Sequence, residues 1–400
     1  MLYRRFGRTN LQIPVFSCGG MRYQFKWQDT PLDQIPPENQ ANLEATIRRS
    51  LELGINHIET ARGYGSSERQ LGVILPTLPR EKMIIQTKVS PEKDPALFTK
   101  NFEDSISRLK LPYVDLLSLH GINNQETLDW SIGKNGSGSG CLAAARAIQK
   151  RGLARHIGFS THSPLRLILE AINHPRDGGF DYINLHWYWI FQQNWPAIQA
   201  AAKLDMGVFI ISPADKGGKL YDPPQKLIDL CKPLHPLVFN SLFCLQRPEV
   251  HTLSIGAAKP TDFDLAVSSL EFLPRAAEIL PPILARLAAA YNAAVPSELR
   301  DPFNTFPEYQ DSPEGMNLQV ILWLSNLAKA YDMHAYGQMR YNLLGNGGHW
   351  FPGLNAANLD TANLHPLSQK TGIPTPQLHS LLKETHNLLA KSSTKRLSQS

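Results

Sequence analysis

A carboxylate, a phenol and an amine recur close together in this sequence as Glu59, Tyr64 and Lys88, with the imidazole of His120 further on. Glu59, Lys88 and His120 each stand at or beside the end of a short apolar run, as do Ser160, His186 and Ser212. Lys88 closes MIIQTK, where a lysine carries its charge toward an apolar interior and requires a partner. The chemistry open to such a set is proton donation. A phenol, with a reference pKa of about 10, is a poor acid at neutral pH. An ammonium beside it favours the phenolate and lowers that pKa, while a carboxylate pairs with the ammonium and holds it in place. The run-end histidines His120 and His186 lack carboxylates at neighbouring run ends, so a metal hydrolase has little support and no metal is expected.

These residues need a scaffold that gathers the ends of strands. Eight β-type runs are present: Val15–Cys18, His57–Thr60, Met83–Lys88, Val114–Leu119, His156–Phe159, Tyr182–Leu185, Val208–Ile211 and Thr252–Ile255. Helical patterns such as Asn42–Leu53 and Ala96–Leu109 alternate with them, which is the sequence form of a parallel α/β fold. Eight strands with helical crossovers predict a closed (β/α)8 TIM barrel. A doubly wound sheet that binds a dinucleotide would carry GxGxxG after its first strand, and the Gly19–Gly20 pair does not supply it. In a barrel, functional residues collect at the C-terminal strand ends, where the run-end residues above would meet.

Past Pro274 the β pattern stops, and helical segments follow at Ala276–Tyr291, Leu318–Tyr331 and Pro376–Ala390. The predicted organisation is a barrel over 1–275, an α-helical C-terminal extension over 276–390 and a disordered tail over 391–400, where Lys391, Lys395 and Arg396 lie among Ser and Thr. Asn123 to Gly140, with its GKNGSGSG, reads as a mobile loop.

At 400 residues and 42% hydrophobic, the chain exceeds one ordinary core, and a formal charge of +5 is too weak to predict nucleic acid or an anionic membrane as partner. The N-terminal MLYRRFGRTNLQIP has no following apolar run, so neither secretion nor a membrane span is expected. Four scattered cysteines, Cys18, Cys141, Cys231 and Cys244, form no CxxC pair and predict a reduced, cytoplasmic protein.

The segment GINHIETARGYGSSERQLG, Gly54 to Gly72, resembles the second strand and loop of aldo-keto reductases. The resemblance continues through Lys88 and through His120 at the end of VDLLSLH. It implies reduction of an aldehyde or ketone by hydride transfer, with Tyr64 as general acid, Lys88 and Glu59 tuning it, and His120 orienting the carbonyl. Glu59 departs from the family's aspartate, and its extra methylene shifts the carboxylate. IGFSTHS resembles the family's carboxamide-binding step, with Ser160 kept, Thr161 in place of asparagine and His162 an added polar group. Asn184 falls near the carboxamide-binding amide position, and His186, Trp187 and Tyr188 would line the substrate mouth or equally pack the barrel rim. VFIISPADKGGKL resembles the seventh strand and its loop; Ser212 is kept, Ile211 replaces a stacking tyrosine, and Lys216 with Gly218 would meet the pyrophosphate.

In IGAAKPTDFDLAVSSL the resemblance implies a clamp for the adenosine 2′-phosphate, yet Lys259 is its only cation. NADP(H) is therefore the implied cofactor, with its preference over NAD(H) left open. Relatives in the branch with ISPADKGGKL and a long C-terminal region often carry an iron–sulfur motif, but PFNTFPEYQDSPEGMNL, Pro302 to Leu318, has no cysteine, so no cluster is expected. The helical lobe that follows, with a Gly-rich aromatic loop at Gly345–Trp350, reads as packing on the barrel, or as a lid or interaction surface. The alternative to an active reductase is a weak or inactive barrel of this type that binds a ligand or protein. Substrate identity and oligomeric state stay open.

Overall fold

A computed structural model describes residues 1–134, 139–346 and 350–391. The chain divides into two compact units: Met1–Gly217 with Asn240–Ala276, and Gly218–Phe239 with the chain from Ala277 onward. Gly218–Phe239, which lies within the expected 1–275 barrel, thus groups with the later part of the chain.

The first unit is a closed barrel. An N-terminal hairpin, β1 (Tyr3–Arg5) and β2 (Gln12–Pro14), precedes eight barrel strands. These are β3 (Phe16–Gly19), β4 (His57–Glu59), β5 (Ile84–Val89), β6 (Val114–His120), β7 (Ala154–Ser160), β8 (Tyr182–Leu185), β9 (Gly207–Ile210) and β10 (Thr252–Ile255). They pair in parallel and in sequence order, and β10 closes onto β3. Each of the eight predicted runs is a strand, because buried parallel strands are written as short, nearly continuous apolar runs. The expected (β/α)8 barrel with added helices is the fold.

Two glycines shape its interior. At Gly207 an added Cβ would sit 2.6 Å from the Phe6 ring, and at Gly158 it would sit 2.6 Å from the Tyr182 ring. Phe6, delivered by the hairpin, packs with Ile13, Ile84, Leu116, Tyr182 and Phe209 and plugs the end where the strands begin. Above this plug runs a neutral polar row. His57 Nε2 lies 3.0 Å from Gln86 Oε1, Gln86 Nε2 donates to Ser118 Oγ at 3.0 Å, and Ser118 Oγ lies 3.0 Å from Tyr182 Oη. Gln86 uses its NH2 on Ser118, so its Oε1 accepts and His57 is the donor, a neutral imidazole. Burial holds His57 down at about 3, far below the usual imidazole value. Asp115 and Asp181 tie neighbouring strands: each takes a strand N–H, from Ile85 and Ile157, and is paired with Arg80 and Arg146 respectively.

The stretch Asn123–Gly140 is a correction. Gln125–Ile132 is a helix, begun by a capping box in which Asn124 and Thr127 satisfy each other's backbone and ended by Gly133 at φ 76°. Its glycine-rich remainder, 135–138, lies outside the described residues, as do 347–349 of the expected aromatic loop and 392–400 of the expected tail.

In the second unit, Leu318–Tyr331 is buried on nearly every side, as a helix apolar all round must be. Asn317 caps it by accepting from Val320 N, and Phe303, Tyr336 and Phe351 ring its Trp323 at 5.5 to 6.1 Å. Ala276–Ala294 and Thr375–Leu389 match the other predicted helices. No described helix is long and apolar enough to cross a membrane.

Candidate active site

Glu59 ends β4, Lys88 is the penultimate residue of β5, and His120 ends β6, so three neighbouring strands carry the predicted residues to one end of the barrel. Tyr64 arrives from the loop after β4. That loop is pinned by Thr60 N to Gln86 O at 2.8 Å, Arg62 N to Lys88 O at 3.0 Å and Tyr64 N to Ala61 O at 3.0 Å. Gly65 makes the turn possible: its φ is +50°, and a Cβ there would lie 1.9 Å from the Lys26 carbonyl oxygen.

Lys88 is 1% exposed, and its ammonium has three hydrogens to place. It donates to Glu59 Oε2 at 2.9 Å, to the Thr60 carbonyl at 2.9 Å and to Tyr64 Oη at 3.2 Å. The longer Glu59 side chain thus still reaches its lysine. Because Lys88 donates to the phenol oxygen, the phenol keeps its own hydrogen to donate elsewhere. His120 packs edge-on against the Tyr64 ring at 5.6 Å, and Trp27 does so from the other loop at 6.0 Å.

Electrostatics differ from the sequence expectation in one respect. Burial pushes the half-buried Tyr64 phenol well above its ordinary value, with the Glu59 carboxylate adding to it, rather than Lys88 lowering it. Burial also pushes Lys88 down, opposed by Glu59. The outcome is a phenol that stays protonated at neutral pH, which a proton donor requires.

The positions expected to meet a dinucleotide lie on β7 and β8 and in the loops that follow β7, β9 and β10. Ser160 ends β7, and its Oγ accepts from Gly121 N at 3.0 Å. Thr161 instead turns its hydroxyl to the Ile122 carbonyl at 2.7 Å and to Ser163 Oγ at 2.8 Å, so it fastens the loop after β6. Asn184 on β8 is 0% exposed, and neither its Oδ1 nor its Nδ2 has a partner among the described residues. A buried amide with donor and acceptor both unmatched is costly alone and complementary to a second carboxamide. Ser212 holds a left-handed φ of 54° and its carbonyl accepts from Lys216 N at 3.0 Å. Gly218, at φ 125°, begins the second unit. Lys216 lies 3.4 Å from Nε2 of both His162 and His186.

After β10, Lys259 is exposed, whereas Asp262 turns inward to accept from Ala258 N at 2.8 Å. Arg22 reaches this loop from the one after β3 and donates to the Gly256 carbonyl at 3.0 Å. Arg22 and Trp27 escaped the sequence reading; a tryptophan and an arginine in a long βα loop were the available signal. Among the described residues no group of three or more His, Cys, Asp or Glu is placed to hold a metal ion. All four cysteines are buried free thiols.

Comparison with known proteins agrees with this barrel. The chain is similar to L-galactose dehydrogenase of Arabidopsis thaliana, 29% identical over 190 residues, covering 45% of this chain and 54% of that protein. It is similar to L-glyceraldehyde 3-phosphate reductase of Escherichia coli K12, 26% identical over 182 residues, covering 42% of this chain and 47% of that one. The chain spans about half the length of these curated relatives. Among solved structures, an aldo-keto reductase of Bacillus halodurans in its holo form superposes with a TM-score of 0.58 at 20% identity, over 72% of this chain and 96% of that one. At that identity the likeness bears on the fold. The model of the Aldo/keto reductase family matches residues 17–219, half of the chain and the stretch that carries Glu59, Tyr64, Lys88 and His120, and the chain belongs to that family.

Proposed function

We propose that this protein reduces a small aldehyde or ketone to an alcohol, with Tyr64 as the proton donor. The observation that carries the reading is the closed account at Lys88, whose three hydrogens go to Glu59, Thr60 and Tyr64 and leave the phenol hydrogen directed to a substrate oxygen. A bound nicotinamide dinucleotide, NADPH or NADH, supplies the hydride. Asn184 would hold its carboxamide, with Ser160 beside it; Ser212, Lys216, Gly218 and Lys259 are the further candidates along its length. Thr161 is left a structural role.

The rest is done by the chain's own groups. His120, edge-on to Tyr64, positions the carbonyl, and Lys88 stabilises the phenolate left after the proton departs. Glu59 keeps Lys88 charged despite its burial. Four buried free thiols suit the reduced cytoplasmic setting proposed for it.

Fluorescence on adding NADPH and NADH tests the cofactor and which of the two is preferred. Absence of binding at submillimolar concentration would sink the reductase and leave a ligand-binding barrel. Given binding, Tyr64→Phe is expected to lower carbonyl turnover by about 10²- to 10⁴-fold, the usual worth of a general acid. Unchanged turnover would remove Tyr64 as the acid.

A further inference from the structure

Between the end of β3 and the helix Pro37–Glu52 the chain runs from Gly20 to Pro36 with one short turn of 3-10 helix, Leu32–Gln34. Loops longer than about 12–15 residues with so little structure of their own usually serve a site. This one brings Trp27 edge-on to the Tyr64 ring, at 6.0 Å. Two anchors hold it, one on either side of Trp27, and they differ in kind. Before Trp27, Phe25 N donates to Ser66 Oγ at 3.1 Å and to Gln70 Oε1 at 2.9 Å, and the Lys26 carbonyl accepts from Ser66 N at 3.2 Å. Ser66 and Gln70 are buried, so this anchor is neutral and shielded from solvent. After Trp27 the anchor is charged. Arg69 grips both carboxylate oxygens of Asp29, Nε to Oδ1 at 2.6 Å and Nη2 to Oδ2 at 3.0 Å, and Arg108 Nη2 reaches Oδ2 at 2.7 Å. The Asp29 side chain is 40% exposed.

The charged anchor also reaches the loop that carries Tyr64. Arg108 Nη2 lies 2.9 Å from Asp104 Oδ2, and Asp104 pairs in turn with Arg62, two residues before Tyr64. Arg69 belongs to the helix Ser67–Ile74, which begins just after Tyr64, and Arg108 to the helix Pro95–Leu109. An isolated surface ion pair is worth little, but a bidentate guanidinium inside a network of arginines and aspartates is the arrangement in which such pairs count. Hydrogen bonds from Arg69, with the charge of Arg108 added, hold the Asp29 carboxyl below its ordinary value, so it is ionised at neutral pH. We propose that the loop Gly20–Pro36 is a strap at the barrel mouth latched by Asp29, and that Asp29 is the positioning residue that fixes Trp27 against Tyr64 and so bounds the space open to a substrate carbonyl. Salt screens an exposed carboxylate far more than buried neutral bonds, so the strap loosens from its Asp29 end while Phe25 stays docked. The effect on substrate rests on the reductase reading; the latch does not.

The full chain labelled with 5-fluorotryptophan carries one fluorine on each of its seven tryptophans, and Trp27→Phe identifies the resonance of Trp27. Asp29→Asn is expected to shift that resonance and leave the others in place. Sodium chloride at about 0.5 M is expected to do the same to the wild type and to add nothing in the variant. With NADPH and 4-nitrobenzaldehyde as the probe, Asp29→Asn is expected to raise KM about three- to tenfold, the worth of two partly exposed ion pairs, with kcat within about twofold of wild type. Asp29→Glu, which keeps the carboxylate, is expected to recover both the resonance and KM. In a Trp27→Leu background Asp29→Asn is expected to change KM no further, because Asp29 acts through Trp27. Should Asp29→Asn disturb every resonance, as misfolding would, Arg69→Gln removes the bidentate pair while leaving Arg108 in place, and the same isolated shift is expected of it. A Trp27 resonance that stays in place overturns the proposal. So does a shifted resonance with an unchanged KM. Absence of aldehyde turnover by the wild type would instead overturn the reductase reading alone, and the Trp27 resonance then decides the latch.

Discussion

The β4–β5 side of the barrel mouth and its β7–β9 side are built on opposite terms. On the first, each hydrogen of the buried Lys88 ammonium has an acceptor supplied by the chain. On the second, the buried Asn184 amide has no partner among the described residues, and Lys216 lies 3.4 Å from two imidazole nitrogens. The first side is complete in itself, and its cost of burying charge is offset internally. The second side carries a buried amide left without a partner among the described residues, so the two should answer mutation in opposite directions.

The largest response is expected at Lys88. Its side chain and that of Glu59 are 1% and 4% exposed, and removing one partner strands the other charge in the interior. Lys88→Met should lower stability by about 3–5 kcal/mol in urea unfolding, and Lys88→Met with Glu59→Gln should recover part of that loss. Turnover should be lost in both. A Lys88→Met protein as stable as wild type would mean that the pair is not a buried charge balance, and the contrast between the two sides would lapse.

A smaller effect comes from the neutral row beneath that side. His57 is held at about 3 by burial, whereas in the unfolded chain it protonates near 6.5. Below 6.5 the unfolded state therefore binds a proton that the folded state refuses. Stability contributed here is complete above 6.5 and falls as pH drops toward 3, at about 1.4 kcal/mol per unit. Between pH 6.5 and 4.5 this amounts to about 2–3 kcal/mol. His57→Gln, which can still donate to Gln86, should flatten the decline by that amount, leaving the part due to His251, which burial holds at about 4. A variant with the wild-type slope would show that the row does not control acid stability.

The same division marks what the sequence could disclose. The eight strands were legible because a buried parallel strand has a local signature, and Glu59, Lys88 and His120 because strand ends position side chains directly. Tyr64, which is on no strand, was legible only through the resemblance of its segment to aldo-keto reductases, with Gly65 the residue that lets its loop turn. Residues whose placement depends on reach across loops were not. The approach of Lys216 Nζ to His162 and His186, from two other loops, is not written in its own segment. The bond of the Thr161 hydroxyl to the Ile122 carbonyl likewise joins two loops that the sequence does not pair. The hairpin Tyr3–Arg5 and Gln12–Pro14 was missed as well, since the value of Phe6 rests on Gly207, two hundred residues away. The helix Gln125–Ile132 was hidden behind its glycine-rich neighbour, although Asn124 and Thr127 already wrote its cap.

Asn184 gives the smallest effect and the sharpest contrast. Leucine has nearly the shape of asparagine, so Asn184→Leu removes an unmatched donor and acceptor without opening a cavity. Where Lys88→Met destabilises, this change should stabilise the protein by about 1–2 kcal/mol in urea, because a buried polar group without a partner costs about that much. Adding NADPH should then reverse the order. Wild type gains stability in proportion to the logarithm of cofactor concentration over its dissociation constant, about 2.7 kcal/mol at a hundredfold excess, while the variant gains little. Two unfolding curves for each protein, with and without NADPH, decide the matter. If Asn184→Leu is destabilising without cofactor, the amide has a partner in solution and the β7–β9 side is as self-contained as the other. If it is stabilising yet still gains fully from NADPH, Asn184 is unmatched for a reason other than the carboxamide.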